Sequence, residues 1–185
     1  MPEHYTRERL VRILEGAQSY TKTSLPLAER NANSYGRKAQ NMQGTIPVFE
    51  NLIEKYRRNE KETREGSPAR KSVHNLIVKS EEIMKKSKKS LEEIRHDSEM
   101  CHEIVDRMKG INDAISDALK SKSPESSAKD LAAKTHDLGT RLAVYDKSLS
   151  NTYLRLGEKL KSATAVESKE EKALPRPHAR AAASA

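Results

Sequence analysis

The chain has 185 residues and a formal net charge of +8, with charged residues at 34% and hydrophobic residues at 35%. Aromatic residues make up 4% and tryptophan is absent, which excludes a thick globular core. Helix formers outweigh the seven glycines and seven prolines, so the fold class is read as all-α: an elongated helical bundle or antiparallel coiled-coil hairpin, with shorter N-terminal helices and a disordered C-terminal tail. Three regions follow from the punctuation: N-terminal short helices over 1–66, a long hairpin over 67–163 and the tail over 164–185.

The first helix is predicted from about Glu3 to Thr21, where Leu10, Ile13, Leu14 and Ala17 share one face. Ser24-Leu25-Pro26 reads as a break. A second stripe of small residues then runs Ala28, Ala32, Tyr35, Ala39 and Met42. Gly44-Thr45 separates a third segment lined by Ile46, Phe49, Ile53 and Tyr56; alternatively the second and third are one helix kinked near Gly44 and Pro47.

Glu65-Gly66-Ser67-Pro68 places a glycine stop, a serine cap and a first-turn proline in the order expected where one helix ends and another begins. Between Pro68 and Pro124 no proline occurs, and the spacing predicts one long helix. Its a and d positions are Val73, Ile77, Ser80, Met84, Ser87, Leu91, Ile94, Ser98, Cys101, Val105, Met108, Asn112, Ile115 and Leu119. At ~1.5 Å per residue this helix extends about 80 Å and needs partners along its length. Leu76, Ile83, Ile104, Ile111 and Ala118 at the g position widen the stripe towards both ends, so three or four helices are expected to meet at each.

Ser123-Pro124 starts a returning helix of about 36 residues, with Ala128, Leu131, Thr135, Leu138, Leu142, Tyr145, Leu149, Thr152, Leu156 and Ala163 on its stripe. It is too short to cover the whole of its predecessor. The region left over falls to other partners, the N-terminal helices being the obvious candidates; where they leave it partly uncovered, Val73, Leu76, Ile77, Ile83 and Met84 are the candidate partner-binding surface. From Thr164 the periodicity stops, and prolines and alanines predict disorder.

The positive charge spreads thinly. One dense cluster, Lys85, Lys86, Lys88 and Lys89, falls at b, c, e and f, and is the candidate contact for an anionic surface. No aromatic residue interleaves with these lysines, as single-stranded nucleic-acid binding would require, so nucleic acid is not an expected partner. Ser67 and Ser123, each followed by proline, are candidate phosphorylation sites as well as candidate helix caps. Glu93 with His96, and Glu99 with His102, match the Glu-x-x-His spacing of metal-binding bundles. Both pairs sit on one helix at solvent-facing positions, so no metal is expected, and no phosphate loop or nucleophile motif predicts an enzyme, a cofactor or a small-molecule substrate.

Cys101 is the single cysteine and no N-x-[ST] acceptor occurs, so no disulfide framework is predicted. With a charged N-terminal segment and no long apolar run, the expectation is a soluble cytoplasmic protein. The function these observations predict is a non-enzymatic scaffold or adaptor subunit that binds other helical chains, in a homo- or hetero-oligomer. The alternative is a helical module on an anionic membrane surface.

Overall fold

The computed structural model describes residues 2–173, and side chains over 7–164. The expectation of an all-α chain holds: the helices are α1 (Pro2–Glu62), α2 (Pro68–Lys120), α3 (Pro124–Leu142) and α4 (Lys147–Ala173), with no strand among the described residues. None of these helices is long and apolar enough to cross a membrane.

Three expected boundaries are corrected. The short N-terminal helices are one helix of 61 residues with Pro26 and Pro47 inside it. Both prolines are exposed, so the carbonyls they leave without a helical partner can turn to water. The returning helix is two helices, because the chain leaves the α-helix after Leu142 and restarts at Lys147. Asp146 makes the restart: its Oδ1 accepts from the Leu149 amide at 2.9 Å, an N-terminal cap, while Val144 stands 84% exposed in the turn. The tail expected from residue 164 begins as helix, since α4 continues to Ala173; the rest of that expectation, from 174 on, lies outside the described residues.

The chain divides into two compact units, the first formed by residues 1–25 and 106–185, the second by 26–105. In the first, four helical segments share a core. Leu10 and Leu14 come from α1, Met108 and Ile115 from α2, Leu131 and Leu138 from α3, and Tyr153 and Leu160 from α4, each at most 2% exposed. The g residues Ile111 and Ala118 are buried here as well, so the wide stripe meets the several helices its width calls for.

Glycines set the distance between α3 and α4. A Cβ on Gly139 would fall 2.7 Å from Leu154 Cγ, and one on Gly157 would fall 3.0 Å from the Ala132 carbonyl. Across the same contact the Ser150 hydroxyl donates to the Gly139 carbonyl at 2.6 Å, a buried bond that this close approach permits.

The second unit contains only two helical segments, the remainder of α1 and the first part of α2, joined by a turn in which Gly66 adopts φ 75°. Ala32, Ala39 and Ile53 on α1 and Ile77, Leu91 and Cys101 on α2 are buried. Tyr35, Met42, Ile46, Phe49, Tyr56, Met84 and Ile94 on the same seam stay half-buried, as two helices alone leave them. The expectation that three or four helices meet at each end is thus met in the first unit and overturned in the second.

Two glycine substitutions test this packing. Gly139→Ala should lower stability by roughly 1–3 kcal/mol through overpacking against Leu154. Gly16→Ala, on an exposed stretch of α1 with open space around the new methyl, should raise it by about 0.5–1 kcal/mol. Urea unfolding of both variants reads the opposite signs.

Candidate functional site

The candidate surface lies in the second unit, and its shape follows from how the two helices are keyed together. Arg57 Nη2 lies 2.6 Å from Glu81 Oε1, Lys88 Nζ 2.8 Å from Glu50 Oε1, and Arg95 Nη2 donates to Gln43 Oε1 at 3.0 Å. Arg57, Glu50 and Gln43 descend α1 a heptad at a time while Glu81, Lys88 and Arg95 ascend α2 a heptad at a time. The helices are therefore antiparallel, and these residues form a ladder of e positions along one border of the seam. His74, a heptad before Glu81, extends the ladder by pairing its Nδ1 with Glu60 at 2.8 Å. Exposed pairs of this kind are each worth about 0.2–1 kcal/mol, so the ladder specifies register more than it stabilises.

The other border is made by g positions and carries no such ladder. Leu76 and Ile83 stand there 45% and 47% exposed on α2, with half-buried Leu52 on α1 and Val48, 64% exposed, one helical turn from it. One border thus carries the charged pairs, with Val78, 40% exposed, in the column beside it, and the other carries the larger group of exposed apolar side chains.

The five residues expected to bind a partner separate on this geometry. Leu76 and Ile83 are on the open border, whereas Val73 and Met84 are half-buried in the seam. Ile77 is 6% exposed and faces α1, because α1 runs the full length of this region. The N-terminal segment expected as the obvious candidate to cover this region does so as part of α1, and it leaves the g border open. Leu52 and Val48 were missed; the signal for Leu52 was its g position on the α1 stripe that continues through Phe49 and Ile53.

The lysine cluster is divided as well. Lys88 pairs with Glu50 across the seam and Lys89 with Glu93 along α2, leaving Lys85 and Lys86 exposed. Of the two serines, Ser67 caps α2, its Oγ accepting from the Arg70 amide at 3.2 Å. Ser123 precedes α3 without a side-chain cap bond.

Elsewhere the chemistry is muted. Glu93, His96, Glu99 and His102 are exposed on α2, His102 Nδ1 lies 2.7 Å from the Ser98 carbonyl, and no group of three or more potential ligands clusters among the described residues. Burial pushes the Cys101 thiol above its ordinary value, and Asp97 adds to the rise, which disfavours the thiolate. In the first unit a groove of about 400 Å³ between α2 and α3 is bordered by Arg107 and Asp137, which pair with each other. A second of about 680 Å³ between α3 and α4 is lined by Lys129, His136, Glu158 and Lys161, all exposed.

Tyr153 is the one fully buried tyrosine among the described side chains of the first unit, its ring edge-on to Tyr20 at 5.9 Å. Burial raises its hydroxyl above the ordinary range of a phenol; neighbouring Thr21 and Ser24 oppose the rise and Tyr20 adds to it. The oxygen nevertheless makes no well-formed hydrogen bond. No protein family, no curated protein and no solved structure matches the chain.

The two titrations can be checked. Because the folded state holds the Tyr153 proton more tightly, the unfolded chain ionises first as pH rises past ~10, and stability falls there. Tyr153→Phe should flatten that fall in urea titrations at alkaline pH while changing stability little at pH 7. Cys101 should react with iodoacetamide much more slowly in the folded protein than in urea, in step with its burial.

Proposed function

We propose that this protein is a non-enzymatic adaptor subunit that docks other helical chains along the open border of its two-helix unit. One observation supports this above the others: Leu76 and Ile83 stand about half exposed, a heptad apart, on the border that lacks the ion-pair ladder. Scattered single apolar residues on a surface need no explanation, but Val48, Leu52, Leu76 and Ile83 fall on one side of one hairpin. A coiled coil with one apolar border is the surface onto which a further amphipathic helix packs, its anchors filling the gap between two existing helices. The single cysteine and absent glycosylation acceptors favour the cytoplasm as the working compartment.

Site-specific crosslinking tests the reading. A photoreactive residue at position 83 should capture partner chains in cells, and one at Glu82, on the far side of α2, should not. Leu76→Glu combined with Ile83→Glu should abolish partner co-purification and leave the thermal melt nearly unchanged, since both positions are exposed. Ile77→Ala, by contrast, should destabilise the hairpin by roughly 2–5 kcal/mol because its side chain lies in the seam. Equal crosslinking at 82 and 83 would remove the basis of the proposal.

A further inference from the structure

We infer that the occupant of this border is an amphipathic helix whose apolar stripe is flanked by carboxylates; the inference rests on the docking role proposed above and adds the chemistry of the partner. The evidence is the charge beside the apolar strip. Around a helix the c column lies next to g, away from the seam, so a helix resting on the g border is bounded by the c residues of both helices. Those residues include Lys55 on α1 and Lys79 and Lys86 on α2, all exposed, with uncharged Val48 and Ser72 in the same columns. None of the three forms an ion pair among the described residues, although Lys88 and Lys89 beside them do. In the same columns Glu62 stands level with Leu76 and Glu93 follows Lys86, so three lysines face a single carboxylate beside the exposed apolar side chains.

A second copy of this chain fits that border poorly. Two-fold docking would gather Lys55, Lys79 and Lys86 of both chains along one contact, with only Glu62 of each chain to offset them. A helix carrying Glu or Asp at its own flanking positions answers all three lysines. The contact is short: Leu76 and Ile83 are separated by ~10 Å along the axis, so a docked segment of about three turns suffices. Binding through so small an area belongs to the weak, reversible class.

The test uses the full chain and two synthetic helical peptides with the same leucine stripe, one flanked by glutamates and one by lysines, followed by fluorescence anisotropy at low salt. The glutamate peptide should bind about tenfold more tightly, the factor that three exposed ion pairs supply, and added salt should erase the difference. Lys55→Glu, Lys79→Glu and Lys86→Glu together should reverse the preference. Leu76→Asn with Ile83→Asn should abolish binding of either peptide, with circular dichroism confirming that both variants keep their helix. Equal affinity for the two peptides, lost in the asparagine variant, would overturn the acidic partner and leave the docking role standing. Binding that the asparagine variant retains would overturn both. Self-association abolished by the asparagine variant, with no peptide binding, would make the occupant a second copy. Sedimentation with phosphatidylserine vesicles in place of peptide binding would make it a lipid surface.

Discussion

The unbroken phase of the apolar stripe on α1 is the constraint from which the rest of the structure follows. From Leu10 through Leu14, Ala17, Thr21, Ser24 and Ala28, and on through Ala32, Tyr35, Ala39, Met42, Ile46, Phe49, Ile53 and Tyr56, every step is three or four residues. A proline inside a helix costs about 3 kcal/mol, and α1 contains two. Each large apolar side chain withdrawn from water returns about 1.5–3 kcal/mol, and breaking α1 at either proline would turn the stripe beyond it out of line with α2. The summed burial exceeds the two local costs. α1 therefore stays whole, and it covers the part of α2 that a shorter helix would have left bare.

The two units show how the number of helices decides what an identical sequence position does. At g, Ile111 and Ala118 are buried where four segments meet, while Leu76 and Ile83 are exposed where only two do. The sequence pattern on α2 is the same in both places. What differs is the neighbourhood, and the ion-pair ladder of the second unit lies on e, across the seam from the exposed g residues.

Much of this was legible before the structure. The bounds of α2 come from Ser67-Pro68 and Ser123-Pro124, and Ser67 does cap it. Leu76 and Ile83 were recognisable as surplus apolar residues. The single α1 was recognised only in part: one helix running through Gly44 and Pro47 was an alternative, but the break at Ser24-Leu25-Pro26 is a strong local signal, and the phase that overrides it is visible only when stripes are joined across it. The division between α3 and α4 was hidden for the opposite reason. Leu142, Tyr145 and Leu149 continue the spacing by coincidence, and the one warning was Asp146, a side chain able to cap. Ile77 and Leu76 are neighbours in sequence but lie on opposite sides of the question, since only the register between two helices says which is covered. That register is tertiary, and the ladder that sets it could not be read from either helix alone.

Tyr153 has a spectroscopic consequence. The chain has no tryptophan, so its ultraviolet aromatic signal comes from six tyrosines and one phenylalanine. In the first unit Tyr153 is wholly enclosed and held edge-on to Tyr20, while in the second Tyr35, with Lys38 Nζ 5.2 Å over its ring, and Tyr56 are half-buried. An enclosed ring in a fixed asymmetric setting dominates near-ultraviolet circular dichroism, and a half-wet ring contributes little. The protein thus carries an intrinsic optical label on the four-segment core, whereas the peptide bands report both units together. Loss of the first signal before the second would mark unfolding that begins in that core, without any added dye.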